Sequence, residues 1–156
     1  MLELIDTYWL YFLVGQYPDG PLGGLVLTIL LSGAALVLAM PLGLLLGVAR
    51  VSPYRAVSLP VAGLVQVVRA VPLLLVLFWV YFFLPAVTGV KTSQATTMLI
   101  VLVVFDSVYL AEIVAAGIRA LPKGQLESAR SLGLGYRQAL RHVVLPQTLR
   151  HGLPSI

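Results

Sequence analysis

The sequence predicts an all-α membrane protein. Three observations support this prediction: the composition, the spacing of the charges and the length of the apolar runs. Hydrophobic residues make up 60% of the 156 residues and charged residues 10%. Soluble domains are nearer to about 45–50% apolar and about 25% charged. The interval between Asp19 and Arg50 holds no charged residue, and about 20 apolar residues suffice for a helix that crosses a bilayer.

Three apolar runs predict three membrane helices, which together make up a membrane region over residues 24–118. The first is expected over about 24–48. The second run follows Arg69, and its uncharged upstream neighbour extends the expected helix to about 60–84. The third, over about 96–118, is interrupted only by Asp106 and Glu112.

Residues 1–23 are predicted to form an extracytoplasmic or interfacial segment. This segment carries acidic rather than basic residues, and the apolar run that follows it, over about 24–48, is too late and too long for a cleaved signal peptide. Aromatic side chains are typical of the membrane–water interface, and here they are Tyr8, Trp9, Tyr11, Phe12 and Tyr17.

The distribution of basic residues predicts the orientation. Residues 1–19 carry none, the first connection has Arg50 and Arg55, and the second has only Lys91. After the third run there are six basic residues against one acid, Glu127. Because cytoplasmic loops are enriched in Lys and Arg, we expect the N-terminus outside the cell and residues 119–152, the C-terminal loop, in the cytoplasm.

Several classes of function are excluded or disfavoured by the same residues. No cysteine is present, so there is no disulfide or thiolate metal site. No glycine-rich phosphate loop with its lysine is present, so the chain is not expected to hydrolyse ATP by itself. The basic residues form no tight cluster or nucleic-acid motif, and His142 and His151 lack partners at metal-ligand spacing. We therefore expect no nucleic acid, no metal and no cofactor in this chain.

The C-terminal loop reads as two short helices bent at glycine. Pro122 ends the membrane helix or starts the next one, and residues 125–132 are good helix formers. Gly133 and Gly135 are expected to break this helix, since glycine takes left-handed dihedral angles freely. A second helix is expected over 137–145, closed by Pro146.

This order of residues resembles the EAA loop of bacterial ABC importer permeases. The spacing of the family pattern is matched at Glu127, Ala129, Gly133, Val143, Leu145 and Pro146, with valine in the isoleucine place and Ser128 for the first alanine. Segments 68–73, 78–85 and 109–113 are similar to the polar-amino-acid branch of that family, of the glutamate/aspartate type. The resemblance runs from about residue 22 to the end.

The resemblance implies a type I ABC importer permease with about five membrane helices, of which three are visible. Residues 153–156 would begin a fourth helix, so the resemblance implies a C-terminally truncated chain. It also implies alternating access driven by partners: a second permease copy or homologue, two ATPase subunits that bind ATP and Mg, and a periplasmic amino-acid-binding protein. The six matched residues would dock the ATPase, and the permease would lie among the lipids of the bacterial inner membrane.

Charges inside the predicted spans are candidates for the substrate pathway, because an ionised group in the bilayer is costly and usually functional. Asp106 and Tyr109 share a helix face that could line the pathway, with Asp106 holding a substrate ammonium group. The alternatives are that Asp106 pairs with an arginine such as Arg69 or stays protonated within the helix bundle. Glu112 is expected to pair with a basic residue, and Arg69, followed by Pro72, marks an interface or a helix break.

Gly43 and Gly47 form a G-x-x-x-G pattern, which permits close helix packing. Their partner is expected to be a helix of this subunit or of a second permease. Two other functions remain open at this point: a stand-alone proton-coupled secondary carrier using Asp106 and Glu112, and a membrane scaffold that conducts nothing.

Overall fold

A computed structural model describes residues 2–89 and 93–152, and the described part of the chain is all-α, as predicted. The residues expected to begin a fourth helix, 153–156, lie outside the described ranges. In chain order the helices are α1 (Leu2–Val14), α2 (Gly24–Arg50), α3 (Arg55–Ala70), α4 (Leu73–Thr88), α5 (Gln94–Ala120), α6 (Lys123–Ser131), α7 (Tyr136–Ala139), a π-helical turn (Leu140–Val144) and α8 (Leu145–Gly152).

Helices α2 and α5 are long and apolar enough to cross a membrane. Each has 27 residues, which corresponds to about 40 Å at about 1.5 Å per residue. This length exceeds the roughly 30 Å of a bilayer core and leaves room for tilt. The first and third predicted membrane helices are therefore confirmed within a few residues.

The second predicted membrane helix is two helices instead of one. The chain is helical on both sides of Val71 and Pro72 but extended at Val71, whose φ and ψ are −101° and 131°. Proline lacks a backbone N–H and pushes the residue before it out of the helical region. A continuous helix over 60–84 was thus wrong, and the helix-break alternative at Pro72 is correct. Together α3 and α4 are apolar enough to form one broken span or a re-entrant loop.

The chain divides into two compact units, of which the first comprises residues 1–38 and 74–103. In this unit Gly15 and Gly24 direct the chain from α1 into α2. Both have positive φ, and a Cβ atom on Gly24 would lie 2.4 Å from the carbonyl oxygen of Phe12. In α4, Phe78 stacks on Phe82 with ring centroids 6.1 Å apart. These rings are exposed, as suits a helix surrounded by lipid or by other helices.

The second unit comprises residues 39–73 and 104–156 and contains the hydrophobic cluster that holds α3 in place. Val61, Val65 and Val68 recur at helical spacing along one face of α3. Val65 is fully buried and belongs to one cluster with Val108 and Ala111 of α5. The polar residues Gln66 and Arg69, both exposed, lie beside this apolar face of α3.

The two glycines of the G-x-x-x-G pattern pack α2 directly on α5. A Cβ atom on Gly43 would lie 2.5 Å from the Cβ of Leu110, and one on Gly47 would lie 2.6 Å from the Cβ of Val114. Both distances are far shorter than ordinary contact, so only glycine permits this approach. The partner of the pattern is therefore a helix of the same chain.

We expect Gly47→Ala to destabilise the protein by about 1–3 kcal/mol, because the added methyl group overpacks the α2–α5 contact. The measurement is the thermal unfolding midpoint in detergent. Gly33→Ala is the matched control, since the space around Gly33 on α2 is open. This control should be unchanged or more stable by about 0.5–1 kcal/mol, because alanine favours the helix. Equal midpoints for the two variants would contradict the assigned packing.

Candidate functional site

Three helices of the second unit each contribute one charged side chain to a single ion-pair cluster. Glu112 of α5 accepts hydrogen bonds at one carboxylate oxygen, Oε2, from the Nη1 atoms of Arg50 and Arg69. The Arg69 bond is 2.6 Å long. The side chains of Arg50, Glu112 and Arg69 are 16%, 26% and 39% exposed, so the cluster is partly shielded from solvent.

The packing of the helices explains why these three residues meet. Arg50 is the last residue of α2, three positions beyond Gly47. Glu112 directly follows the fully buried Ala111, and Arg69 directly follows Val68 of the apolar face of α3. Each charge thus lies beside an apolar contact that positions its helix.

An open cavity of about 520 Å³ adjoins the cluster. Its lining residues are Arg50, Gln66, Arg69, Ala70, Tyr109 and Glu112. The guanidinium carbon of Arg69 lies 5.3 Å from the centre of the Tyr109 ring, a distance typical of a cation–π contact. Such a contact holds the planar Arg69 group against one wall of the cavity.

The structure brings together three of the four predicted pathway residues. Arg69, Tyr109 and Glu112 line the cavity, whereas Asp106 does not. Arg69 pairs with Glu112, so the alternative pairing of Asp106 with Arg69 is not formed. Among the residues that the structure describes, Asp106 has no ion pair or hydrogen bond. Its role in the pathway, like that of the other three residues, remains a prediction.

Sequence reasoning missed two polar residues that line this cavity, Arg50 and Gln66. Arg50 was used only to infer orientation, and Gln66 was treated as part of an uncharged run. The sequence did contain a signal for Arg50. A basic residue at the end of one membrane span can pair with an acidic residue inside another span, as Glu112 is. Gln66 lies three positions before Arg69, on the same helix face.

The first helix of the C-terminal loop matches the prediction closely. It is α6, and it ends where Gly133 takes a φ of +81°. The backbone N–H of Gly133 donates to the carbonyl of Arg130 at 2.9 Å, and that of Leu134 donates to Ala129 at 3.2 Å. A glycine in this left-handed conformation is the common way to close a helix. Gly135 then caps the start of α7, and its N–H donates to the side-chain oxygen of Gln138 at 3.0 Å.

Pro146 does not close the second helix of the loop, as the sequence suggested. The chain passes through the π-helical turn and continues as α8 to Gly152. In the turn the N–H of Leu145 donates to the carbonyl of Leu140, five residues back. A π-helical turn contains one residue more than an α-helical turn, so it shifts the hydrogen-bond register just before Pro146. Proline has no backbone N–H to donate. Helical backbone can therefore run through this position.

The residues matched to the EAA pattern differ in how accessible they are. Ala129 is 3% exposed, so it helps to pack α6 within the loop instead of facing outward. Glu127 and Pro146 are exposed, and Val143 and Leu145 are half-buried. Glu127 forms no ion pair with Arg130 in the described part of the chain.

One exposed residue of the loop escaped the sequence analysis. Leu132 precedes Gly133 at the turn, and its side chain is 81% exposed, more than any other large hydrophobic residue described. It lies in the polar loop and not on a predicted span. An isolated exposed leucine needs no explanation by itself, but this one lies at the turn between α6 and α7.

The C-terminal loop also packs against the end of α5. A Cβ atom on Gly117 would lie 2.7 Å from the Cγ2 of Thr148, which is 3% exposed. Burial raises the pKa of Tyr136 above its usual value, an effect that nearby Arg130 opposes and Tyr54 reinforces. Tyr54 directly precedes α3, so the charge environment of Tyr136 includes a residue next to α3, while the packing of Thr148 on Gly117 joins the C-terminal loop to α5.

Residues 39–156 match the sequence profile of the family described as the binding-protein-dependent transport system inner membrane component. The chain belongs to this family. The predicted membership among ABC importer permeases is thereby confirmed, and with it a location in a membrane.

Curated relatives of the chain are described as amino-acid permeases. A probable glutamine ABC transporter permease of Bacillus subtilis is 36% identical over 85% of this chain. A glutamate/glutamine/aspartate/asparagine transport system permease of Rhodobacter capsulatus is 36% identical over 86%. A glutamate/aspartate import permease of Escherichia coli is 31% identical over 86%. The chain spans 61%, 31% and 63% of the lengths of these relatives, respectively.

Two solved structures share the fold. The crystal structure of an amino acid ABC transporter with histidines matches with a TM-score of 0.80 and 29% identity, over 99% of this chain and 67% of that one. An inward-facing methionine ABC transporter matches with a TM-score of 0.63 and 25% identity, over 84% of this chain and 61% of that one. The predicted resemblance to permeases for amino acids is thus confirmed.

We expect Glu112→Gln to lower the stability by about 2 kcal/mol, less than the 3–5 kcal/mol of a fully buried pair, because the cluster is partly exposed. The measurement is thermal unfolding in detergent. Glu127→Gln is the control, since it makes the same change at an exposed acid that has no ion pair in the described residues. Adding Arg50→Met to Glu112→Gln should restore most of the loss. A Glu112→Gln variant as stable as the control would contradict the ion-pair assignment.

We expect Gly133→Val to loosen the turn between α6 and α7 by about 1–2 kcal/mol, because valine resists positive φ. Apart from the two neighbouring residues, no atom of the described chain lies within 4 Å of the position that its Cβ would take, so backbone strain is the expected cause. Hydrogen exchange of the amides of α6 and α7 measures the effect. Gly124→Val is the control, since Gly124 has open space and no positive φ. Equal exchange in both variants would contradict the strain at Gly133.

Proposed function

We propose that this protein is the transmembrane subunit of an ABC importer that moves a polar amino acid across the bacterial inner membrane. ATP hydrolysis takes place in a separate ATPase subunit. Family membership supports the transport role, and the names of the relatives support an amino acid as the substrate. Membership of this family also favours the importer over a stand-alone carrier or a scaffold.

The geometry of the C-terminal loop is the observation that carries the proposal. The loop has an internal packing of its own, with Ala129, Ala139 and Val144 buried. Its turn presents Leu132 outward, and α6 presents Glu127. A compact pair of helices with an apolar tip and an exposed acid is suited to a groove on a soluble partner. We assign that groove to the ATPase, with Leu132 as an additional docking residue.

Motion of the loop can reach the membrane helices through direct contacts. The α5 helix is continuous to Ala120, and only two residues separate it from α6. Thr148 of α8 packs against Gly117 of α5. A shift of the loop against the ATPase therefore pulls on the helix that carries Glu112. This is the coupling that alternating access requires, in an assembly with a second permease, two ATPases and a periplasmic binding protein.

Within this proposal Asp106 holds the ammonium group of the substrate. The carboxylate lies on the face of α5 that also carries Tyr109, one turn further along. Charges inside a span usually face a partner or a water-filled path. Arg69 is already paired with Glu112, which leaves a protonated Asp106 or a substrate pathway, and we pursue the pathway.

Leu132→Ser should weaken ATPase binding about tenfold, because a buried leucine contributes on the order of 1.5–3 kcal/mol. The experiment co-purifies this protein with the ABC ATPase of its source organism and measures the dissociation constant in detergent. Gly124→Ser, which places the same residue at another exposed site of α6, should bind like the unaltered protein. Unchanged binding by Leu132→Ser would refute the docking surface.

Asp106→Asn should leave insertion and yield unchanged but reduce amino-acid uptake by the reconstituted importer about tenfold. A neutral amide forms a weaker bond to an ammonium group than a carboxylate does. Glu112→Gln provides the contrast, since its main expected effect is a lower yield of folded protein. Normal uptake by Asp106→Asn would refute the ammonium site, and a loss of yield would make Asp106 structural.

A further inference from the structure

The ion-pair cluster carries more positive than negative charge. Glu112 is the single acidic residue that lines the cavity, and it faces two guanidinium groups. The cavity wall therefore has one uncompensated positive charge. Unbalanced charge of this kind in a partly buried place is costly unless a counter-ion shares the site.

Hydrogen-bond donors are also left over. Both arginines use Nη1 on the same carboxylate oxygen, while each guanidinium has five N–H donors. The Nε atom of Arg50 is buried and has no hydrogen-bond partner. Gln66 adds an amide at the rim of the same cavity. A buried donor without a partner is rare and indicates an unfilled acceptor position.

We propose that this cavity is a binding site for one oxyanion group, a carboxylate or a phosphate. Arg69 is its main donor, because its guanidinium is the more exposed of the two and is held flat by Tyr109. A planar guanidinium binds carboxylate and phosphate through paired hydrogen bonds. A cavity of about 520 Å³ is large enough for a carboxylate or phosphate together with its neighbouring atoms.

Two sources can supply such an anion. Arg50 ends a candidate membrane span, so the cavity lies at the level of one lipid–water boundary, where anionic lipids present phosphate. The other source is an acidic amino acid, and this second source alone rests on the proposed transport function. The oxyanion site itself does not depend on the ATPase, so a protein that fails to dock the ATPase can still bind the anion.

The experiment measures ligand-induced shifts of the unfolding midpoint, together with dissociation constants, for the full chain in neutral detergent. The probes are sodium glutamate, inorganic phosphate and short-chain phosphatidylglycerol, with short-chain phosphatidylcholine as the zwitterionic reference. Arg69→Gln should weaken anion binding about tenfold or more, since a charge-assisted bond is lost. This variant is expected to fold, because Glu112 keeps Arg50 as its partner.

Arg55→Gln is the matched control. Arg55 is the exposed first residue of α3 and does not line the cavity, so this variant has the same net charge as Arg69→Gln. It should bind as the unaltered protein does. Equal losses in both variants would show attraction to overall charge only and would overturn the site, as would the absence of binding by any anionic probe.

Two further variants keep the test decisive if Arg69→Gln is poorly folded. Gln66→Leu removes an exposed polar group and should weaken binding about threefold. Glu112→Gln releases both arginines, so anions should bind more tightly and raise its unfolding midpoint more than that of the unaltered protein. A purely structural ion pair would show no such gain, and its absence in folded Glu112→Gln would overturn the proposal. Phosphatidylglycerol binding without glutamate binding identifies the lipid, and the reverse identifies the amino acid.

Discussion

The contact of Gly43 and Gly47 with α5 is the constraint on which the second unit depends. Because neither glycine has a side chain, the backbone of α2 comes close to Leu110 and Val114. That approach sets where α2 ends relative to α5, and so it places Arg50 against Glu112. A bulkier residue at either position would separate the helices and leave the carboxylate with Arg69 alone.

The same unit joins two kinds of chemistry that are usually kept apart in membrane proteins. Apolar packing by Val61, Val65 and Val68 holds one face of α3, and Arg69 beside this face lines the ion-pair cavity. The end of α5 then continues into the C-terminal loop, where Thr148 packs on Gly117. A partner that moves the loop and a ligand that occupies the cavity would thus act on one helix. This arrangement gives the proposed docking surface and the proposed anion site a shared mechanical element.

Local signals in the sequence were reliable where backbone chemistry alone decides the conformation. The long apolar runs predicted α2 and α5, because a chain in lipid must satisfy its backbone hydrogen bonds within each segment. Gly133 predicted the end of α6, because glycine readily takes the positive φ that it has in the structure. Pro146 misled, since the effect of a proline depends on the hydrogen-bond register before it, and the π-helical turn that changes this register has no clear pattern in the residues. Pro72 was read correctly as one of two alternatives, yet the continuous helix was preferred because hydropathy does not register a break.

The sequence by itself determined the membrane character of the chain, the positions of its longest helices, the bend of the C-terminal loop and the family resemblance. All of these depend on residues that are close together in the chain or on a fixed spacing. Only the tertiary structure decided which helix Gly43 and Gly47 contact, which arginines Glu112 binds and that the side chain of Leu132 is exposed. Arg50 and Glu112 are separated by 62 positions, and no local pattern records which distant charges will meet once helices pack. Pairing of charges across helices is a property of packing, and packing depends on the shapes of side chains from several segments at once.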